Sequence, residues 1–556
     1  MATASTSAET NDDNSTEEKI VNNAANKEQD PLKLAYYCTK IRDQTKVVLE
    51  LKGGEPPEPD GKKTPLRIQC VIDISYSMEE PYGNDDISKL DKMKMFSQLL
   101  VEFLSDDDIL GIVTFGTDAW ITLPPTHMTA KGKLQAKFAI DNIISRGTTN
   151  LSAGLLGGIE MFLESNELQL DGTLIQTDYR DTIILFSDGL ANKGIKDANK
   201  LIPAMRRRLD KVGRELDIED YDVTISAFST GGYIPELLFQ VGQSFSSDAF
   251  YFLDDDTDLE VAMMKPVLMR ESSVASGIKV HLKALNGVTF QVDESTNEFR
   301  VQSYEDDDAD DNQILEYFIH DISPNMERHV IVVLDLPEGH EKTLKGKDVM
   351  KIEVRFRDKE MARKRMRGTV SYSKVPLNED ETSEKALLKV GQQESRNEAY
   401  KALRKSTDTL TRRARPKASR DIEEGIVEIQ SLCEHIGDLL TSEDSENDLL
   451  QYAKPLITNL EYCIKFLRDP HIAEEDAWCK MTSMSSAIIR ESPAAGGTFA
   501  EGADLFLPSI IEEKIRDLRS RLVSLYESRG LSPVQLKFYE RTLEQLKDRI
   551  EILNND

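Results

Sequence analysis

RIQCVIDISYSMEE, residues 67 to 80, decides how this chain is read. A largely apolar run from Ile68 to Ile74 carries Asp73 and then gives way to Ser75, Tyr76 and Ser77. Continuous apolar character suits a strand covered on both faces, as in a parallel sheet. Ligands of such sheets bind beyond the carboxyl ends of the strands, near the point where strand order reverses, which is where Asp73, Ser75 and Ser77 fall.

Working outward, the region 66–270 alternates short apolar runs with helical spacing. The strands are LRIQCVIDI, DILGIVTFG (108 to 116), AWITLPP (119 to 125, an edge strand), DTIILFSDG (181 to 189), DVTISAFST (222 to 230) and AFYFL. Between them lie KLDKMKMFSQLLVEFL (89 to 104), GKLQAKFAIDNII, LSAGLLGGIEMFLESN, a helix ending RRRLDKVGREL, and IPELLFQVGQ. This order predicts βαβ units and a doubly wound, Rossmann-like α/β domain.

Alternate residues of an extended segment point the same way, so DxSxS directs Asp73, Ser75 and Ser77 to one side of the turn. Asp188 in FSDG ends another strand, and RGTTNLSAGLL offers Thr149 just before a helix that Asn150 or Ser152 would cap. Asp73, Ser75, Ser77, Thr149 and Asp188 form an all-oxygen set, suited to a hard cation, Mg2+ or else Mn2+ or Ca2+, and not to zinc. Two carboxylates neutralise a divalent ion formally, and contacts through water leave it electrophilic, with a position that a partner's carboxylate can fill.

These three segments resemble the metal-ion-dependent adhesion site (MIDAS) of von Willebrand factor A domains, and the order of strands and helices is similar across about 200 residues. The resemblance implies that Ser75 and Ser77 ligate the metal directly, Thr149 directly or through water, and Asp73 and Asp188 mainly through water. It favours Thr149 over its neighbour Thr148, because Asn150 follows as in the family pattern. Tyr76 departs from the small residue often found between the serines, and its ring would narrow the choice of partner.

Elsewhere the period changes. SGIKVHLKAL, VTFQVDE, NEFRVQSY, ILEYFIHDI, ERHVIVVLDLP, DVMKIEVRFRD and MRGTVSYSKV are spaced as in an antiparallel β-sandwich over 271–376. KVVLELKG (46 to 53), in the N-terminal segment 36–65, is expected to add a strand to that sandwich, which would make the A domain an insertion. The acidic runs EDDDADDN (305 to 312) and DDDTD (254 to 258) lack the glycine and terminal glutamate of a calcium loop, and are read as a solvated loop and a helix cap. Residues 386–556 carry apolar positions at spacings of three and four, a C-terminal helical bundle. Within it the basic run 404 to 417 is expected to pair with acidic neighbours. Ile511 to Leu525 and Leu536 to Leu553 predict two further helices, either a hairpin closed on the bundle or a coiled coil that lets the chain self-associate.

Composition narrows the function. A chain of 556 residues with formal net charge −30 disfavours nucleic acid as a partner. It has no apolar run long enough for membrane insertion. Residues 1–35 read as a disordered acidic tail. The five cysteines are scattered without a CxxC pair, which suits a reduced, cytoplasmic compartment. The nucleotide and hydrolase loops GxxxxGK[ST], GxSxG and HExxH are absent, so no enzymatic activity is expected. The expected function is an intracellular, metal-ion-dependent protein-binding scaffold that captures an acidic side chain of a partner. The domain order, together with AWCKMTSMSSAIIRESP, is also similar to plant A-domain ubiquitin ligases. Those proteins carry a RING finger, whose cysteines this chain lacks, so the alternative expectation is a ubiquitin-pathway adaptor without a RING of its own.

Overall fold

The computed structural model describes residues 30–490, apart from 42–43, 56–63, 83–86, 165–178, 189–190, 219–220, 231–234, 246–249, 254–258, 292–299, 306–312, 379–380, 412–418, 441–447 and 469–473. The acidic runs at 254 to 258 and 306 to 312 and the helical pair expected after residue 506 lie outside the described residues.

Strands β1 (Leu32–Ile41) and β2 (Gln44–Gly53) pair antiparallel along their whole lengths. Residues 32–35, expected to belong to a disordered acidic tail, are instead part of β1, because Leu32 and Leu34 are buried core positions. Tyr36, Tyr37 and Cys38 follow them without a clean apolar alternation, which hides this strand in the sequence.

A six-stranded sheet comes next: β3 (Leu66–Asp73), β4 (Ile109–Phe115), β5 (Ala119–His127), β6 (Arg180–Phe186), β7 (Thr224–Ser229) and β8 (Phe250–Phe252). Helices α1 (Lys89–Phe103), α2 (Ala130–Asp141), α3 (Leu151–Glu164), α4 (Ala198–Glu215), α5 (Glu236–Phe245) and α6 (Leu259–Ser272) connect and cover it. The strand order is β5-β4-β3-β6-β7-β8, parallel throughout except for β5. Every residue of β3 is buried, as its unalternating sequence demands. Ile68, Cys70 and Ile72 pack with α1 and α6, and Val71 packs on the opposite face with α3, α4 and α5. Because the chain runs from β3 outward to β4 and β5 and then returns to the other side of β3, the reversal of strand order lies between β3 and β6.

The antiparallel sheets are built from β9 (Ala275–Ala284), β10 (Thr289–Gln291), β11 (Arg300–Glu305), β12 (Gln313–Ile322), β13 (Glu327–Asp335), β14 (Asp348–Asp358) and β15 (Arg363–Ser371), with the short α7 (His340–Thr343) before β14. Their orders are β1-β2-β13-β10 and β11-β12-β9-β14-β15, and Leu49, Val280, Leu282, Val332, Ile352 and Val354 share the core between them. Since β2 pairs with β13, the doubly wound domain is inserted between two strands of this second unit. The joint is polar: Arg270 at the end of α6 is buried and donates to Asp321 at 2.6 Å, while the Arg180 guanidinium donates to the Arg270 carbonyl at 2.7 Å.

Among the described residues four helices follow, α8 (Glu384–Thr411), α9 (Ser419–Leu440), α10 (Asp448–Arg468) and α11 (Glu474–Arg490), around buried Leu403, Ile426, Ile429, Leu460, Ile464 and Met484. The basic run beginning at Arg404 is in part intramolecularly paired, with Lys405 on Glu428 at 2.6 Å and Arg404 over the Phe239 ring at 4.5 Å.

An ionic latch ties α8 to the sandwich. The Lys389 ammonium lies 2.7 Å from Glu50 and 2.9 Å from Glu327, Lys52 reaches Glu327 at 2.9 Å, and Lys46 pairs with Glu394. The buried His329 ring stands 3.4 Å from Glu50. Burial raises the pKa of both glutamates, but the nearby His329 ring and the lysine ammoniums outweigh it and hold both below the usual carboxylate range. A folded pKa below the unfolded one stabilises above the unfolded value, and that contribution is lost as pH falls through the folded pKa. Urea midpoints are therefore expected to fall steadily below about pH 4.5. Glu327→Gln should lower the midpoint at neutral pH and flatten this acid limb. An unchanged slope would remove the latch from the account.

Candidate metal centre

The chain reaches the carboxyl end of β3 and turns sharply, because the Asp73 carboxylate binds the loop that follows. Its Oδ1 accepts the Ser75 N–H at 2.8 Å and its Oδ2 accepts the Ser187 hydroxyl at 2.6 Å. Asp73 thus ties the ends of β3 and β6 together across the switch point. The Ser75 and Ser77 hydroxyls stand 3.1 Å apart in the same turn, which continues as a 3-10 turn over Tyr76–Glu79. Tyr76, the first residue of that 3-10 turn, is 65% exposed.

The threonine loop is drawn in from the opposite side. Ile74 N–H donates to Phe115, Arg146 N–H to Ile74 and Tyr76 N–H to Gly147, so the segment 146–150 lies against the β3 turn. Gly147 has φ +80, and a Cβ there would lie 2.7 Å from the Thr117 hydroxyl, so the close approach requires glycine. Thr148 is exposed and its hydroxyl is 3.2 Å from that of Thr117, whereas Thr149 is buried and its backbone is clamped by Asn192. Asn192 Oδ1 accepts the Thr149 N–H at 3.0 Å, and the Thr149 carbonyl accepts the N–H groups of Asn192 and Lys193. Asn150 caps α3 by accepting the Ala153 N–H at 3.2 Å, and Ser152 instead accepts the Ile195 N–H at 2.9 Å.

Asp188, just beyond β6, is 1% exposed, and neither of its carboxylate oxygens has a hydrogen-bond donor among the described residues. A cation is nearby, the Lys89 ammonium 3.7 Å from Oδ2, which itself donates to Glu80 at 2.9 Å. A buried carboxylate without donors is costly, since desolvation of an ion is offset only by pairing or coordination. Burial also pushes the Asp73 carboxyl up to about 6, and the charge of Asp188 adds to that rise against the hydrogen bonds from Ser187 and Ser75. Two crowded acids, two serine hydroxyls and a buried threonine are a donor set that fits a hard divalent cation. Sequence reasoning missed Ser187, Asn192, Glu80 and Lys89. Only Asn192 left a signal, in the ANKG turn that follows Asp188.

A doubly wound sheet with acid and hydroxyl oxygens at its switch point is the architecture of an A domain, and residues 68–190 match the family model of the von Willebrand factor type A domain. The chain carries that domain. Two curated relatives align with it: inter-alpha-trypsin inhibitor heavy chain H3 of Mus musculus is 31% identical over 151 residues, and that of Mesocricetus auratus 25% over 152. In each case the alignment covers 26% of this chain and 15% of the relative, so the chain matches only a small part of their length. Solved structures with a similar outline include a von Willebrand factor type A protein from Catenulispora acidiphila (TM-score 0.49, 12% identity, 80% of this chain and 94% of that one). Another is the ArnB paralog VWA2 from Sulfolobus acidocaldarius (TM-score 0.42, 11% identity, 83% and 98%). A third is proximal thread matrix protein 1 of the mussel byssus with a zinc-occupied MIDAS motif (TM-score 0.28, 20% identity, 39% and 51%).

Proposed function

We propose that the chain is an intracellular, non-enzymatic scaffold that recognises an acidic side chain of a protein partner through a divalent cation. The observation that carries this reading is Asp188, a buried carboxylate with no hydrogen-bond donor among the described residues, placed at the switch point beside Asp73. Ser75, Ser77 and Thr149 would hold Mg2+, Mn2+ or Ca2+ through their hydroxyls, with Asp73 and Asp188 supplying the charge. A bound cation provides an electrophilic position for a carboxylate oxygen. The chain's own part is to orient the hydroxyls, which Asp73 does for the serine turn and Asn192 for Thr149. Tyr76 and the Arg146 guanidinium, stacked 3.7 Å over Trp120, flank the centre and would read the residues beside the captured acid.

Affinity capture from lysate with Mg2+ or with EDTA, identified by mass spectrometry, tests the reading. Partners are expected to be lost with EDTA and with Asp188→Ala alike. Asp188 is the better site for this variant, because Asp73 also anchors the loop. Mg2+ should raise the melting temperature of the wild type and leave that of Asp188→Ala unchanged. Partners retained in every sample would reduce the domain to architecture. Recovery of ubiquitin-ligase components as the metal-dependent partners would favour the adaptor reading, and concentration-dependent mass in solution would report the self-association assigned to the C-terminal helices.

A further inference from the structure

We infer that Lys89 is a tethered cation that competes with the metal for Asp188, and that Glu80 holds it in reserve. The inference rests on the metal reading of the site. Lys89 is the first residue of α1, where the helix dipole disfavours a positive charge, and its side chain is 6% exposed. A buried ammonium in that position needs compensating acids, and two lie near it among the described residues. Its Nζ donates to Glu80 Oε2 at 2.9 Å and stands 3.7 Å from Asp188 Oδ2, beyond hydrogen-bond reach. Its backbone N–H donates to the Glu80 carbonyl at 3.0 Å, which fixes the two residues beside each other.

The two acids differ in the way a reserve requires. The Glu80 side chain is 56% exposed and stays solvated whether or not it is paired, while Asp188 is 1% exposed. A divalent ion arriving at Asp188 repels the ammonium, and Glu80 is already bonded to receive it. When the metal leaves, Lys89 is the nearby positive charge that limits the cost of the bare Asp188 carboxylate. Lys89 thereby weakens metal binding and keeps the centre exchangeable, and Glu80 counteracts it by drawing the ammonium away.

This assignment predicts opposite signs for two neighbouring substitutions. Mg2+ titrated into the full-length protein at constant pH and salt, followed by calorimetry, should bind Lys89→Met about tenfold more tightly than wild type. Lys89→Arg, which keeps the charge, should remain within about threefold of wild type. Glu80→Gln changes an exposed side chain without threatening the fold, and it frees the ammonium for Asp188. Its Mg2+ affinity should fall by about tenfold. If Lys89→Met binds no tighter while the wild type still binds, Lys89 is a packing residue, and only this inference falls. Unaltered affinity in Glu80→Gln would equally overturn the reserve. A wild type that binds none of Mg2+, Mn2+ and Ca2+ would instead remove the metal reading, and with it the inference.

Discussion

Trp478→Ala is expected to cost about 3–5 kcal/mol, read as a lower denaturant midpoint for the A domain and for the helices together. Trp478 lies on α11, far along the chain from the A domain, yet it belongs to that domain's core. Its indole is 1% exposed and meets Phe239 of α5 at 6.2 Å and Phe250 of β8 at 6.3 Å, both edge to face. Ala477 and Cys479 are buried with it. The three-residue β8 is the last strand of the sheet, so α11 covers an edge that would otherwise be open to pairing. Truncation to alanine removes the largest fully buried side chain and leaves a cavity between two rigid aromatic walls. Trp478→Phe keeps an aromatic edge there and should recover more than half of the loss. A cost below about 1 kcal/mol for the alanine variant would mean that α11 does not dock here.

The second large effect concerns the opposite end of β3. Arg67 and Asp181 form a bidentate pair at 2.6 Å for both bonds, with side chains 3% and 2% exposed. Tyr221 donates a further hydrogen bond to Asp181, and the guanidinium also reaches the Phe162 carbonyl at 3.2 Å and packs over the Phe162 and Tyr179 rings. Removing either charge strands the other in the interior, so Arg67→Met and Asp181→Leu should each cost about 3–5 kcal/mol. The double variant leaves no orphaned charge and should be markedly more stable than the sum of the single changes implies. Simple additivity in that cycle would show that the pair is not coupled.

The sequence was most informative where burial on both faces leaves no alternative reading. β3, β4, β6 and β7 appear as apolar runs because each is fully buried, and Asp73 and Asp188 stand out as acids at the ends of such runs. The strand β14 was legible for the converse reason, since its buried Met350, Ile352, Val354 and Phe356 alternate with outward Lys351, Glu353 and Arg355. β1 was hidden because it lies at a sheet edge and its middle is only half buried. The resemblance already favoured Thr149 over Thr148 through the Asn150 that follows, and the folded chain sets the two apart in environment, with the exposed Thr148 against Thr117 and the buried Thr149 clamped by Asn192. Lys89 and Trp478 were illegible in another way. Each looks ordinary in its own helix, a lysine at a start and a tryptophan on an amphipathic face, and its role comes from a neighbour that only the folded chain supplies.

The interrupted strand pairing also dictates an order of events on the ribosome. β2 acquires its neighbour β13 only after the whole A domain has been translated. With roughly 270 residues between them and synthesis at ~5–20 residues per second, the β1–β2 hairpin waits for tens of seconds. The sheet of the A domain can form within that interval, because its six strands follow one another in sequence, although the cover that α11 gives β8 arrives only later. The hairpin cannot, since Val47, Leu49 and Leu51 have nothing to pack on until β9 and β14 emerge. Nascent chains stalled between residues 280 and 330 should accordingly carry a protease-resistant A domain beside a hairpin that recruits chaperones, and release of that hairpin would mark the moment the sandwich closes.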